Sequence, residues 1–227
     1  MKVNLYITSY AEKNLDRRKE IETCFTKNLQ AGFQDIWLLI EEKDLEYTKE
    51  LINRRSPTKS YVNYKVVSAT RPSFQQYINQ ANYYQDERIH VVMNSDIFIE
   101  PADLDKIKNL NWQNKLFVAL SRWDLHKGGT STLLDRQDSQ DAYFWYGNCN
   151  VINALCPNGN AGSDNHICWK FKDAGYKVVN PSKDIKIFHL HNVLGNNYRQ
   201  GIGGPVIASH ICPPPYSFHP PIFINQI

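Results

Sequence analysis

The sequence has no uninterrupted apolar stretch approaching the ~20 residues that a membrane-spanning helix needs. Its first residues run directly into a strand-like segment, so we expect neither a signal peptide nor a transit peptide. Lysine and arginine form no extended block, and the net charge is only +3, which does not favour nucleic acid as a partner. We therefore expect a cytoplasmic protein that neither spans a membrane nor binds nucleic acid.

Cysteine is scarce: the five residues form no CxxC pair and no zinc-ligand spacing. Their odd number and irregular spacing predict reduced thiols that are buried as small hydrophobic side chains. Internal repeats and low-complexity tracts are also absent. With 227 residues and 12% aromatics, the chain suits an ordinary globular protein of one large domain or two small ones.

Strand-like and helix-like patterns alternate through the first half of the sequence. We expect strands at Val3–Ile7, Asp35–Ile40, Tyr64–Ala69 and 90–93, and helices at Leu15–Ala31, 43–55, 72–84 and 101–110. Such repetition requires right-handed crossovers between parallel strands. The predicted fold is therefore α/β, Rossmann-like, with a mostly parallel central sheet and helices on both faces.

The pattern changes after residue 115. Residues 116–120, 176–179 and 185–191 read as further strands, and a helix is expected from about 166 to 174. Residues 126–137 are polar and contain glycine, which predicts a mobile loop. The proline-rich end leads us to expect a domain over 1–195, with 196–227 as a tail or linker, so that the chain is part of a longer multidomain protein.

A polar triplet, Asn94-Ser95-Asp96, directly follows the short apolar segment 91–93. Sheets of parallel strands bind ligands outside the carboxyl ends of their strands. A carboxylate and an amide at this place offer hard oxygen ligands for a divalent cation, which can in turn hold a diphosphate. The alternative is a polar turn that closes the strand, with Asp96 as a cap.

Polar side chains also follow the first and third predicted strands. The hydroxyls of Thr8, Ser9 and Tyr10 could bind a uracil edge or sugar hydroxyls, and Tyr10 could stack on the base, although turn formation would explain the same residues. Arg71 lies where a guanidinium could meet diphosphate oxygens. Arg17 or Arg18 could do the same, with surface solvation as the alternative.

Candidate carboxylates occur later in the chain. Asp138 and Asp141 could hold sugar hydroxyls, or be solvated loop acids. Asp164 precedes a helix after a glycine-rich turn, where the helix dipole favours its ionised form and where it could also act as a cap. Arg122 and Trp123 end the strand at 116–120; an indole face suits a sugar ring, and Trp123 could equally be part of the core.

The order of these motifs, closed by Gly162-Ser163-Asp164-Asn165 and His189-Leu190-His191, resembles the GT-A class of nucleotide-sugar glycosyltransferases. The resemblance covers roughly residues 1–195. More narrowly, this domain resembles the small amino-terminal glycosyltransferase modules of large algal (chlorella) DNA viruses. The triplet matches the position of the Asp-x-Asp metal motif of the class, with Asn94 replacing the first aspartate.

This resemblance implies a Mn²⁺ or Mg²⁺ cofactor held by Asp96 and a histidine. We prefer His191 to His189 because it lies nearer the open end of its strand; a structural histidine pair is the alternative. The resemblance also implies that Asp164 deprotonates the acceptor hydroxyl in an inverting reaction, or that a nearby carboxylate acts as nucleophile or stabilises charge in a retaining one.

The predicted function is transfer of a hexose or deoxyhexose from a UDP-sugar to a glycan or glycoprotein hydroxyl, in the host cytoplasm if the protein is viral. A nucleotidyltransferase would normally carry a glycine-rich loop after the first strand. Residues 8–13 contain no glycine, which counts against that alternative. A non-catalytic sugar- or nucleotide-binding module is the other alternative, and Asn94 in place of aspartate favours it.

Overall fold

The computed structural model describes residues 1–56, 61–68, 70–112, 115–190 and 212–227. Its β-strands are β1 (Lys2–Thr8), β2 (Asp35–Glu41), β3 (Val62–Ser68), β4 (Arg88–Met93), β5 (Ile97–Ile99), β6 (Leu116–Leu120), β7 (Trp123–Leu125), β8 (Ser131–Leu133), β9 (Ala142–Tyr146), β10 (Lys177–Val179) and β11 (Ile187–Leu190). Its α-helices are α1 (Leu15–Gln30), α2 (Leu45–Arg55), α3 (Phe74–Ala81), α4 (Pro101–Lys108) and α5 (Ser163–Asp173). The expected alternation of strand and helix from β1 to β4 is confirmed.

Within the described residues, seven strands form a central sheet in the order β10-β6-β9-β4-β1-β2-β3. Neighbouring strands are parallel, except that β9 runs antiparallel to both β4 and β6. The expected mostly parallel α/β sheet is therefore confirmed. Because β2 and β4 lie on opposite sides of β1, the chain changes direction across the sheet at β1, and the carboxyl ends of β1 and β4 form a crevice.

Helices cover both faces of this sheet because side chains alternate along each strand. Leu5 of β1 lies in the apolar cluster that contains Phe25 of α1. The next residue, Tyr6, lies in the opposite cluster with Phe171 of α5. Burial of each such side chain contributes about 1.5–3 kcal/mol to stability. The two clusters hold the strand ends in fixed positions.

A second sheet in the described residues has the order β5-β11-β7-β8. Strands β7 and β8 form a hairpin in which Leu125 lies opposite Ser131. The expectation that residues 126–137 form a loop throughout is thus wrong for 131–133. The turn between the strands contains Gly128 and Gly129, with φ of 102° and 85°, a conformation that favours tight hairpins.

Strand β9 lies between β4 and β6 and begins beside the carboxyl ends of these two strands. The backbone N–H of Asn94 donates to the carbonyl of Asp141 at 3.0 Å, and the N–H of Asp141 donates to Leu120 at 2.8 Å. Because β9 is antiparallel, its first residues lie beside the last residues of its neighbours. Asp141 therefore lies at the same edge as the Asn94-Ser95-Asp96 triplet.

Residues 212–227, expected to be part of a tail or linker, pack against the domain. Ile222 and Ile224 contact the core, and the N–H of Ile222 donates to the carbonyl of Asn180 at 2.8 Å. No helix in the described ranges has both the length and the apolar character that a bilayer crossing requires.

Cys156 and Cys212 form a disulfide between residues 56 apart in sequence. The expectation that all five cysteines are reduced is therefore wrong for this pair, while Cys24, Cys149 and Cys168 are free and buried as expected. Sequence spacing could not reveal the bond, because the fold determines which distant cysteines meet.

Candidate active site

A cleft of about 380 Å³ opens where β1 and β4 end side by side. It occupies the crevice at which open α/β sheets bind their ligands. Its walls come from the two strand ends, the start of α1, β11 and the loops before α3 and α5. The lining residues are Thr8, Tyr10, Glu12, Asn14, Arg17, Glu20, Arg71, Asn94, Ser95, Asp96, Asn158, Gly159, His189 and Leu190.

Asp96 is the central carboxylate of the cleft and is 9% exposed. Nη2 of Arg17, in the first turn of α1, forms an ion pair with its Oδ2. Nε2 of His189 lies 3.4 Å from the same oxygen. Burial by itself raises the pKa of Asp96, but the hydrogen bond with His189 and the charge of Arg17 outweigh burial and hold the pKa well below its ordinary value. Asp96 is therefore ionised.

His189 is oriented by Asp124, its partner across the β7–β11 pair. Nδ1 of His189 lies 3.0 Å from Oδ1 of Asp124. Burial favours the neutral imidazole, yet the hydrogen bonds with Asp124 and Asp96 raise the pKa of His189 to about 9. Since Nδ1 is directed at Asp124, Nε2 faces the cleft, where it lies 3.4 Å from Nη1 of Arg17.

Asn94 connects the cleft to a buried carboxylate. Its Nδ2 donates to Oδ1 of Asp141 at 2.7 Å, and Nη1 of Arg122 lies 3.5 Å from that oxygen. Oδ2 of Asp141 has no hydrogen-bond partner among the described residues. Burial raises the pKa of Asp141; Arg122 opposes the rise and the charge of Asp96 adds to it. A neutral amide at position 94 thus avoids a second carboxylate beside Asp141.

Asp164 lies in the first turn of α5, after Gly162, whose φ of 77° turns the chain into the helix. The hydroxyls of Tyr143 and Ser163 donate to its Oδ1 at 3.0 and 3.1 Å. Burial, reinforced by the charge of Asp141, raises the pKa of Asp164 to about 7. A carboxyl group with a pKa near neutrality suits general-base chemistry. Asp164 is not among the residues described as lining the cleft.

Three other residues that were predicted to contact the donor, Thr8, Tyr10 and Arg71, also line the cleft. Thr8 ends β1, and Tyr10 follows it. Nη1 of Arg71 lies 3.5 Å from the carbonyl oxygen of Asn158. A Cβ atom at Gly159 would come within 3.1 Å of Nη1 of Arg71, so glycine leaves room for this side chain along the wall.

Ser9 and Trp123, both expected to contact the donor, are not among the described cleft-lining residues. Ser9 is 3% exposed and accepts a hydrogen bond from the hydroxyl of Thr48 at 3.0 Å. The indole of Trp123 donates to the carbonyl of Ser182 at 2.8 Å. The Ser9 hydroxyl and the Trp123 indole N–H thus each have a hydrogen-bond partner within the fold.

Asp138, predicted to hold sugar hydroxyls, pairs with Arg136 at 2.8 Å on the surface. Arg136 lowers its pKa. His191, our preferred metal ligand, lies outside the described residues. Within the described residues, Nε2 of His189 lies beside Oδ2 of Asp96.

Glu20 and Asn14 also line the cleft, and no sequence motif marks either residue. Glu20 accepts a hydrogen bond from Nη1 of Arg17 at 3.0 Å, and the side chain of Asn14 accepts from the N–H groups of Asp16 and Arg17. The spacing of Arg17 and Glu20 places them on one helix face. It could not show that this face is turned toward Asp96.

The described residues contain no group of three or more His, Cys, Asp or Glu side chains that could hold a metal. Two ligand-type atoms nevertheless converge, since Oδ2 of Asp96 and Nε2 of His189 are 3.4 Å apart and Arg17 contacts both. Two ligands at right angles about 2.1 Å from one ion would be about 3 Å apart. The separation of Oδ2 of Asp96 and Nε2 of His189 is compatible with two ligands of one divalent ion, whose other positions would be filled by water and phosphate oxygens.

No protein-family model matches the chain, and no curated protein matches it in sequence. Among solved structures, a mannosyltransferase from Pyrobaculum calidifontis in complex with GDP-Man and Mn²⁺ has a TM-score of 0.57 and 14% identity. The match covers 88% of this chain and 59% of the mannosyltransferase chain, so this chain spans less than two thirds of that protein.

Two other solved structures are less similar. A protein described as mannose-6-phosphate isomerase from Helicobacter pylori has a TM-score of 0.44 and 19% identity, over 53% of this chain and 50% of the other. A 4-diphosphocytidyl-2C-methyl-D-erythritol synthase from Anaerococcus prevotii has a TM-score of 0.44 and 13% identity, over 63% and 69%. The likeness to the mannosyltransferase shows that this chain has a GT-A-like fold.

Proposed function

We propose that this protein is a glycosyltransferase that moves a hexose or deoxyhexose from a UDP-sugar to a hydroxyl of a glycan or glycoprotein. The observation that carries the proposal is the convergence of Asp96 and His189 in a cleft at the β1–β4 crevice. A cation site beside a cleft with aromatic and guanidinium groups suits a nucleoside diphosphate.

The donor would lie along the cleft from β1 to β4. Thr8 and Tyr10 would contact the base and ribose, because they occupy the cleft wall after β1. Arg71 would pair with diphosphate oxygens, for which its planar guanidinium is suited. The sugar would then lie toward Asn94.

Mn²⁺ or Mg²⁺ is the proposed cofactor, with Asp96 and His189 as its protein ligands. Because the pKa of His189 is raised to about 9, binding at Nε2 would release one proton from this imidazole to solvent. When bound, such an ion stabilises the negative charge that develops on the departing diphosphate. Asp124 keeps the ring of His189 in the orientation that this role requires.

Asp164 is the proposed base that accepts the proton of the acceptor hydroxyl. Its pKa of about 7 makes a proton-accepting form available near neutral pH. Tyr143 and Ser163 fix the orientation of the carboxyl group through Oδ1. Asp141, linked to Asn94, would position the sugar rather than take the proton. The proposed location remains the cytoplasm expected from the sequence, whereas the disulfide of Cys156 with Cys212 counts against it.

Calorimetric titration of the protein with UDP, with and without Mn²⁺ and with GDP as comparison, tests the donor assignment. We expect UDP to bind in the presence of Mn²⁺, and absence of binding by both nucleotides under all conditions would refute the proposal. Asp96→Ala should abolish hydrolysis of a UDP-hexose, whereas Asp105→Ala, at an exposed site on α4, should not. Hydrolysis by the intact protein would also exclude a non-catalytic binding module.

A further inference from the structure

Arg17 occupies the position between Asp96 and His189 that the proposed metal ion needs. Its Nη2 contacts Oδ2 of Asp96, and its Nη1 lies 3.4 Å from Nε2 of His189. One guanidinium therefore contacts both candidate ligand atoms at once. The Arg17 side chain is 17% exposed, so much of this contact is shielded from water.

A divalent ion bound to these two atoms would lie against the guanidinium. Metal–ligand distances of about 2.1 Å leave no room for both cations on the same oxygen and nitrogen. Like charges a few ångströms apart in a partly buried site also repel each other strongly. Arg17 must therefore leave Asp96 before the ion can bind.

We propose that Arg17 is an internal competitor for the metal site, which closes the site in the nucleotide-free protein and moves onto the donor diphosphate when the site is loaded. This inference rests on the proposed function, because it names the diphosphate as the new partner of Arg17. Arg17 lines the same cleft as Arg71, so a diphosphate in the cleft lies within the volume that both side chains border.

Glu20 is a second carboxylate partner of Arg17. It accepts a hydrogen bond from Nη1 of Arg17 at 3.0 Å from one turn further along α1. For the ion to bind, Nη2 must leave Oδ2 of Asp96 and Nη1 must move away from Nε2 of His189, and the diphosphate would then replace Asp96 as the anionic partner of Nη2. A planar guanidinium is well suited to phosphate oxygens, and the exchange replaces one anionic partner by another.

Metal and nucleotide should consequently bind with positive coupling. The ion alone has to break the ion pair of Arg17 with Asp96, whereas a diphosphate that binds with the ion offers Arg17 another anionic partner in exchange for Asp96. By linkage, UDP should raise the affinity for Mn²⁺ by the same factor as Mn²⁺ raises the affinity for UDP.

The test measures Mn²⁺ binding by electron paramagnetic resonance, without nucleotide and with UDP, in the wild type and three variants. Arg17→Gln removes the competing charge and should bind Mn²⁺ alone at least about tenfold more tightly, equivalent to about 1.4 kcal/mol. Arg17→Lys keeps a cation and should stay close to the wild type. Lys19→Gln is the matched control, since it makes the same charge change on α1 at a side chain that is 79% exposed.

UDP should tighten Mn²⁺ binding more in the wild type than in Arg17→Gln. Unchanged Mn²⁺ affinity in Arg17→Gln, or an equal gain in Lys19→Gln, would overturn the inference. If Arg17→Gln does not fold, Arg17→Met replaces it in the same comparison, because it also removes the competing charge and keeps a side chain of similar length; unchanged affinity of Arg17→Met for Mn²⁺ alone would likewise overturn the inference. Tighter Mn²⁺ binding by Arg17→Gln without any UDP binding would retain the competition but refute the proposed function.

Discussion

Nδ1 of His189 lies 3.0 Å from Oδ1 of Asp124, and the two residues are partners across the neighbouring parallel strands β11 and β7. The second sheet thus fixes an imidazole whose other nitrogen faces Asp96 in the cleft. Carboxylates placed in this way orient histidine ligands and increase their basicity. The β7–β11 pair therefore has a direct bearing on the proposed metal site.

Replacing Asp124 should weaken metal binding without removing a ligand. We expect Asp124→Asn to lower the affinity for Mn²⁺, measured in the presence of UDP, by about 10- to 100-fold, because His189 loses its charged partner. Asp138→Asn, on the surface beside Arg136, is the control and should leave the affinity unchanged. Equal affinities of the wild type and Asp124→Asn would show that His189 does not bind the metal.

The pH dependence of transfer should report Asp164. Because a base acts in its ionised form, kcat/KM should rise with pH and level off above about 7, the pKa of this carboxyl. Asp164→Asn should lower kcat by about 10²- to 10⁴-fold and remove this rise, while UDP binds as before. Asp173→Asn, at the exposed end of α5, should retain both the rate and the pH profile.

A second carboxylate at position 94 should destabilise the fold in a pH-dependent way. Asn94→Asp would replace a donor 2.7 Å from Asp141 by a like charge, so one of the two carboxyl groups should bind a proton and show a raised pKa. A raised folded-state pKa gives stability that is present at low pH and lost as pH rises through it. Urea unfolding at about pH 7 should therefore show that Asn94→Asp has a free energy of unfolding about 1–3 kcal/mol below that of the wild type. This difference should be smaller at about pH 5.

Asn94→Ala provides the comparison for this prediction. It removes the same hydrogen bond without adding a charge, so its loss of stability should depend less on pH. A variant Asn94→Asp that is as stable as the wild type at both pH values would mean that positions 94 and 141 do not interact.

The disulfide between Cys156 and Cys212 should be measurable both chemically and thermodynamically. Thiol titration of the unreduced, denatured protein should find three free thiols, since Cys24, Cys149 and Cys168 are unpaired. The double variant Cys156→Ser/Cys212→Ser should lose about 2–4 kcal/mol of unfolding free energy. A reductant should destabilise the wild type by a similar amount and leave the double variant unaffected; five titratable thiols would contradict the bond.

Much of the fold can be predicted from local patterns in the sequence. The strand before Asn94 and the helix that begins at Leu15 follow from an apolar run and from helical apolar periodicity, which are patterns over a few residues. The position of Asp96 at a ligand-binding edge follows from the same reasoning, because strand ends in a parallel sheet meet at one edge.

The rest depends on contacts between distant segments. The proximity of His189 to Asp96 could not be predicted from the sequence around residue 189. What brings His189 to Asp96 is the register of β11 against β7 and β5, which is set by pairing over more than 60 residues of chain. The ion pair of Arg17 with Asp96 and the bond of Cys156 with Cys212 are likewise products of tertiary packing.

Strand β9 runs opposite to its neighbours and begins at the edge where they end. The loop that leads into a parallel strand lies at the amino end of that strand, on the side of the sheet away from the cleft. The loop that leads into β9 lies instead beside Asp141, on the same side of the sheet as the cleft, because β9 is antiparallel. Insertions and deletions between β8 and β9 could therefore reshape the ligand side while leaving the strand order intact, which makes this connection a suitable place for engineering selectivity.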